Sequence, residues 1–226
     1  PPRSTLFPYT TLFRSSGVDF EGWRKELFRH VHRLDAAGLE RALLDAEREL
    51  ARNALIEHVL FPFVIEIGSG WREGRIRVVQ EHLASSVLRR VLVALLIADV
   101  HPDGAARAVS ATPAGQVHEL GVLLAALALS SEGVPVTHLG ADLPAAEIAA
   151  AARELGATRV LLSVVYPPDD PSTFEELVEL LRLLPATTHV LVGGASAPAY
   201  LARIDHPSMH AMENMSELRA LLQSGS

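Results

Sequence analysis

The chain has 226 residues, 49% of them apolar, enough to fill the core of one large domain or two small ones. Lysine and arginine total 20 against 27 aspartates and glutamates, and the net charge of −7 disfavours the phosphate backbone of nucleic acid as a direct partner. The absence of cysteine excludes disulfides, thiolate metal sites, iron–sulfur clusters and thioether-linked tetrapyrroles, so any chromophore is held noncovalently or through histidine.

Residues 1–17 stand apart. Arg3 to Ser15 (RSTLFPYTTLFRS) repeats Thr-Leu-Phe around Pro8, continues no later periodicity and resembles the translation of a sequencing adapter, so it is set aside from the fold as an artefact or a disordered lead-in. Read as a signal peptide, it lacks an uninterrupted apolar core and a small-residue cleavage site.

Over residues 18–101 the apolar positions recur at helical spacing, as in Leu39, Leu43, Leu44, Ala46 and Leu50, then Leu55, Val59, Leu60 and Phe63. Four helices are expected, at about Phe20–Arg33, Ala36–Arg52, Ala54–Ile67 and Ile76–Val100. Gly38 falls near a start, Pro62 is expected to kink the third helix or begin a new turn, and Gly68-Ser69-Gly70 is expected to end it. The longest apolar run, Val91 to Ile97, is well short of the roughly 20 residues that span a bilayer, so no membrane and a soluble, cytoplasmic protein are expected. His101-Pro102-Asp103-Gly104 reads as a linker.

From residue 105 to 226 short β-branched runs alternate with Ala- and Leu-rich stretches. Strands are expected at Ala108–Ala111, Val134–Leu139, Arg159–Val165, His189–Val192 and His210–Met212. Helices are expected at Glu119–Ser131, Ala145–Leu155, Thr173–Leu184, Ala197–Ile204 and Ser216–Leu222. Such alternation implies right-handed βαβ units and a parallel sheet, with a ligand beyond the carboxyl ends of the strands. The fold class is therefore α plus α/β, a helical-bundle cap followed by a flavodoxin-like, doubly wound sheet of five strands.

Three features fall at that carboxyl edge. Thr112-Pro113-Ala114-Gly115-Gln116-Val117-His118-Glu119-Leu120-Gly121 puts an imidazole just ahead of a helix, the third strand ends near Ser163, and the fourth runs into Gly193-Gly194-Ala195-Ser196. Each alone has a plain structural explanation, since isolated histidines and Gly-Gly turns are common. In this order they resemble the cobalamin-binding module of methionine synthases, corrinoid methyl carriers, mutases and cobalamin-dependent regulators, with its Asp-x-His-x-x-Gly, Ser-x-Leu and Gly-Gly motifs. The resemblance implies that His118 is the lower cobalt ligand, with Gly121, Ser163, Gly193 and Gly194 around the inserted nucleotide tail and Val117 and Val165 beside it. Gly140-Ala141-Asp142-Leu143-Pro144 fits the module's Gly-x-x-x-Pro turn after the second strand. Two positions depart from the pattern. Gln116 stands where a carboxylate orients the histidine, which implies a weaker or less proton-coupled lower bond. Ser163-Val164-Val165 lacks the leucine.

In the helical half, Trp71 is followed after nine residues by Glu81-His82. Taken alone, these read as a core aromatic and a surface pair. Their surroundings, from Ile67 to Gly74 and Gln80 to Ser85, resemble the bundle of light-dependent MerR-type cobalamin repressors. That resemblance implies adenosylcobalamin, with Trp71 on the adenosyl group, Glu81 bonded to it and His82 an upper ligand after photolysis. Stand-alone proteins of this architecture resemble photocobilins, which implies a noncovalent bilin, biliverdin, beside the corrin. The reading is a homo-oligomeric light sensor, not an enzyme, with an undefined signalling partner. Its alternatives are a corrinoid methyl carrier and the effector half of a truncated regulator. His30, His32, His58, His138, His189, His206 and His210 read as surface or supporting residues, Arg89-Arg90 as a solvated helix face, and Trp23 and Phe28 as bundle core.

Overall fold

The computed structural model describes residues 17–102 and 104–212. The adapter-like segment, Asp103 of the linker and the helix expected at Ser216–Leu222 lie outside the described residues.

Helix α1 (Phe20–His32) begins where the Asp19 carboxylate accepts the Gly22 N–H at 2.7 Å, and α2 (Ala36–Glu49) where Asp35 accepts the Gly38 N–H at 2.8 Å. The third rod is continuous from Arg52 to Arg72, as α3 (Arg52–Leu55), a π-helical segment (Ile56–Leu60) and α4 (Phe61–Arg72). The π segment accommodates Pro62. Proline has no N–H for the carbonyl four residues earlier, and Arg24 Nη1 donates to that His58 oxygen instead, at 2.6 Å.

The rod does not break at Gly68-Ser69-Gly70. A Cβ at Gly70 would stand 2.7 Å from Ile76 Cγ1, so the glycine admits Ile76 against the helix. Termination waits for Gly74, whose φ of +75° and N–H bond to the Trp71 carbonyl close the last turn. Because the π segment joins what the sequence divides, Arg52–Arg72 is by length and composition apolar enough to cross a membrane, unlike the short run expected. Here Leu55, Ile56, Val59, Leu60, Phe63 and Ile67 are buried in the core. Helix α5 (Val78–Ala98) completes the bundle. Trp23 and Phe28 pack on the core as expected, Phe28 edge-on to Phe63 at 4.8 Å between ring centres.

Beyond the linker the order is β1 (Arg107–Pro113), α6 (Leu120–Ser131), β2 (Val136–Leu143), α7 (Ala145–Glu154), β3 (Ala157–Ser163), α8 (Pro171–Leu183), β4 (His189–Gly193), α9 (Ala197–Leu201) and β5 (Met209–Ala211). All neighbouring strands are parallel, in the order β2-β1-β3-β4-β5. Gly140 to Leu143 belongs to β2 instead of following it, the strand being carried past the expected end by register shifts against β1.

Both faces of the sheet are covered. On one side Val109, Val160, Leu162 and Val192 pack with α7, α8 and α9. On the other, α6 is buried at every position from Val122 to Ser130, with no polar face, because it lies between the sheet and the helical bundle. Bundle and sheet therefore share one core.

Two contacts fix how α5 lies on α6. Arg89 pairs with Glu119 at the start of α6, and Asp99 accepts from Ser130 Oγ at 2.5 Å near its end. The two helices thus run side by side in the same direction. The residues from Val78 to Leu88, about three turns and ~16 Å of axis, run on past the start of α6 and past the carboxyl edge of the sheet.

Candidate functional site

In the order β2-β1-β3-β4-β5 the connection after β1 leads to one side of the sheet and the connection after β3 to the other, leaving a crevice between them. The loop from Ala114 to Glu119 forms one lip and the segment from Val164 to Asp170 the other.

The first lip is held from two directions. Asp142, at φ +60°, accepts the Gly115 N–H at 2.7 Å, while its own N–H lies 3.2 Å from the Gln116 carbonyl and 2.9 Å from Thr112 Oγ1. Thr112 Oγ1 in turn donates to the Gln116 carbonyl. Aspartate tolerates the left-handed conformation that this geometry demands. From the opposite side comes the Gln116 amide, 1% exposed: Oε1 accepts the Val165 N–H at 3.0 Å, and Nε2 donates to the Tyr166 carbonyl at 2.9 Å and to Thr173 Oγ1 at 3.3 Å. The amide expected to stand in for a ring-orienting carboxylate is therefore engaged in stitching the two lips together. A carboxylate could not do this, since the Tyr166 carbonyl needs a donor. Beyond this clamp Val117 and His118 are exposed.

Beside the lip, β3 and β4 end in register, Ser163 opposite Gly193. Val164 N–H donates to the Gly193 carbonyl at 2.8 Å, Ser196 N–H to the Val164 carbonyl at 3.0 Å, and Ser196 Oγ to the Val165 carbonyl at 2.7 Å. Gly194 has φ +101°, and a Cβ there would overlap the Val164 backbone, so only glycine permits the crossing. Ser163 Oγ is buried with no hydrogen-bond partner, and Gly121 faces it from the first turn of α6. An unpartnered buried hydroxyl costs on the order of 1–3 kcal/mol.

Trp71 lies in the last turn of α4 with 48% of its surface exposed, and Glu81 and His82 lie on the projecting part of α5. Glu81 accepts from Ser85 Oγ at 2.6 Å with one oxygen and pairs with His82 Nδ1 through the other. The His82 ring is otherwise mostly exposed.

Four residues of this neighbourhood were not singled out by motif. Glu119, with only 8% of its side chain exposed, pairs with Arg89 of α5 through Oε1 and meets His138 Nε2 of β2 at 3.0 Å through Oε2. His138 Nδ1 reaches Ser110 Oγ of β1 at 2.9 Å. Burial holds the His138 pKa below its ordinary value, and the Glu119 carboxylate only partly opposes that. Arg89 keeps 53% of its side chain in solvent while it bridges bundle and sheet, His138 is a supporting residue with its side chain 10% exposed, and Arg90 sits outside, paired with Glu40. The available signals were a serine inside the otherwise apolar Ala108–Ala111 run, a histidine in the next strand and a glutamate directly after His118. Among the described residues no group of three or more histidines and carboxylates forms a metal cluster.

The B12-binding domain family matches residues 106–215, and a second B12-binding domain family matches residues 23–96. The chain is 32% identical over 194 residues to the HTH-type transcriptional repressor CarH of Myxococcus xanthus, covering 85% of this chain and 64% of that protein. It is 31% identical over 204 residues to the HTH-type transcriptional repressor CarA of the same organism, covering 89% of this chain and 68% of that protein. Dimethylamine corrinoid protein 1 of Methanosarcina acetivorans is 28% identical over 163 residues, or 69% of this chain and 75% of that protein. The structure of the Methanosarcina barkeri monomethylamine corrinoid protein shares the fold, with a TM-score of 0.71 at 16% identity over 92% of this chain and 100% of that one.

Proposed function

The chain belongs to the cobalamin-binding family that includes CarA and CarH, and from that premise we propose that it is a light sensor that takes adenosylcobalamin between sheet and bundle. The observation that carries this reading is the projection of α5 past the carboxyl edge of the sheet, with Glu81 and His82 on it and Trp71 at the end of the preceding helix. When bound, the cofactor supplies a light-labile cobalt–carbon bond on its upper face and a lower position open to an imidazole nitrogen.

The residues fit that group on grounds of their own. His118 is exposed at the end of a loop clamped by Asp142 and Gln116, so a ring nitrogen is offered to a transition metal from a rigid base. Ser163 carries a buried hydroxyl that needs a partner, and Gly121 packs no side chain against it, so a polar nucleotide tail inserting there would find a hydrogen-bonding group. Gly193, Gly194, Val117 and Val165 form the walls around this entry. Trp71 excludes water from the upper face, and Glu81 accepts from sugar hydroxyls or an amino group of the adenosyl moiety. His82 would offer a ring nitrogen to the metal once that moiety had left. With that moiety gone, Trp71 and Glu81 would lose their contacts to it, and the bundle or the oligomer would rearrange. In this reading the chain binds and signals without catalysing.

The chain spans 64% of the length of CarH, and operator binding is a property of those repressors; here we propose that the output passes through self-association or a protein partner. The second reading, a corrinoid methyl carrier, is supported by the similarity to the dimethylamine corrinoid proteins.

The test is to load the purified chain with adenosylcobalamin in the dark and illuminate it with blue or green light while recording absorption and size-exclusion elution. A light-driven spectral change with altered elution is expected. A bound cofactor indifferent to light sinks the sensor reading, and methyl exchange with a methylamine methyltransferase then favours the carrier. Biliverdin added in a parallel arm tests the noncovalent bilin: a red-absorbing complex that survives gel filtration is the expected outcome.

A further inference from the structure

We propose that Arg89, Glu119 and His138 form a positioning network that ties the seating of the bundle to the presentation of His118, an inference that rests on the cobalamin reading of the site. Glu119 occupies the N-cap position of α6, where its backbone carbonyl accepts the Leu123 N–H at 2.9 Å, yet its side chain makes no capping bond. Serine, aspartate or asparagine would cap the helix better, because a shorter side chain reaches the free N–H groups. The longer glutamate reaches away from the helix, to Arg89 on the bundle side and His138 on the sheet side. One nearly buried carboxylate therefore joins α5, α6, β2 and, through Ser110, β1, at the position adjacent to His118.

The network also has a mechanical setting. Near the other end of the α5–α6 contact, Asp99 binds both Ser130 and Arg52, the latter at 3.1 Å. Besides the apolar packing that the two helices share, polar contacts thus hold α5 to its neighbour near both ends of their run, and the Arg89 contact lies next to the candidate ligand loop. Without it, the projecting turns that carry Glu81 and His82 keep the apolar packing of the bundle on α6 but lose the charged tie nearest the loop. In the same step Glu119 keeps a buried charge with one partner fewer, which loosens its grip on the loop.

The experiment compares the wild-type chain with Arg89→Met and Arg89→Lys. Hydrogen–deuterium exchange over residues 114–121 is measured without cofactor, and hydroxocobalamin binding is followed by its absorption shift on histidine ligation. Arg89→Met is expected to raise exchange over residues 114–121 and to weaken His-ligated hydroxocobalamin binding, each by about three- to thirtyfold, while Arg89→Lys recovers most of both. Wild-type exchange and affinity in Arg89→Met would overturn the proposal, as would a lysine variant no better than methionine. Should the wild type take up no hydroxocobalamin, the site reading falls and the network loses its purpose. Exchange in the cofactor-free chain still reports separately whether Arg89 steadies the loop.

Discussion

Gly121 and Ser163 face each other across the start of α6 and the end of β3, so close that a Cβ on the first would stand 3.4 Å from Oγ of the second. The serine hydroxyl is buried, 2% exposed, and without a partner. This gives Ser163→Ala opposite effects on two measurements. The cofactor-free chain gains about 1 kcal/mol of stability, as the unpartnered hydroxyl is removed, while cobalamin affinity falls because the nucleotide tail loses a bond. Thermal unfolding and a binding titration on the same protein check the two signs. Gly121→Val closes the entry and is expected to abolish binding with the fold retained by circular dichroism.

His118→Ala is expected to remove the His-ligated cobalamin spectrum and weaken binding, with little effect on the cofactor-free chain because the ring is exposed. Absorption after reconstitution decides it: an unchanged spectrum counts against His118 as lower ligand.

Gln116→Glu restores the acidic character usual in the family motif, yet it is expected to destabilise the chain by about 2 kcal/mol. A carboxylate oxygen in place of Nε2 faces the Tyr166 carbonyl, where a donor is needed. Urea unfolding of the cofactor-free chain measures the loss. Stability equal to wild type would show that the clamp between the two lips does not depend on the amide.

Trp71→Ala should cost under about 1 kcal/mol, as expected for a side chain half in solvent. Its expected effect lies elsewhere, in poorer discrimination between adenosyl- and methylcobalamin and altered photolysis, with the lower-ligand spectrum intact. Paired titrations with the two cobalamins, in the dark, are the check.

Stability is expected to fall on acidification below about pH 6.5. Burial lowers the His138 pKa, and burial together with His189 lowers that of His210. In the unfolded chain both histidines regain the ordinary value, so the unfolded state binds more protons between the two values. Their contribution is complete above the unfolded pKa and is lost as pH falls through the folded one. Melting temperature recorded from pH 8 to 5.5 should show the decline, and His138→Gln, which keeps a donor towards Glu119, should flatten it. A melting temperature that rises on acidification contradicts this.

The alternation of elements, the parallel sheet and the place of the three edge motifs were legible in sequence, because they rest on local periodicity and, at Gly194, on a conformation that only glycine permits. What was not legible depends on contacts across long separations. The Gly68 to Gly70 stretch looked like a stop because the packing of Ile76 onto Gly70 is invisible to a helical pattern. Gln116 looked like a weakened carboxylate because its partners, Val165, Tyr166 and Thr173, come from another loop. The ion pair of Arg89 was hidden because its glutamate is 30 positions away, at the start of a helix whose burial on all sides only the assembled layers reveal.

That helix has a consequence for anyone dividing the protein. The two family matches, 23–96 and 106–215, invite a cut at the linker, yet α6 turns the sheet half into a body with one greasy flank. Released from the bundle, the sheet half would bare the outer side of Val122 to Leu129 to water and be driven to aggregate through it. The bundle alone would bare the matching surface. The halves are recognisable separately as sequences, but neither is finished as a solid without the other.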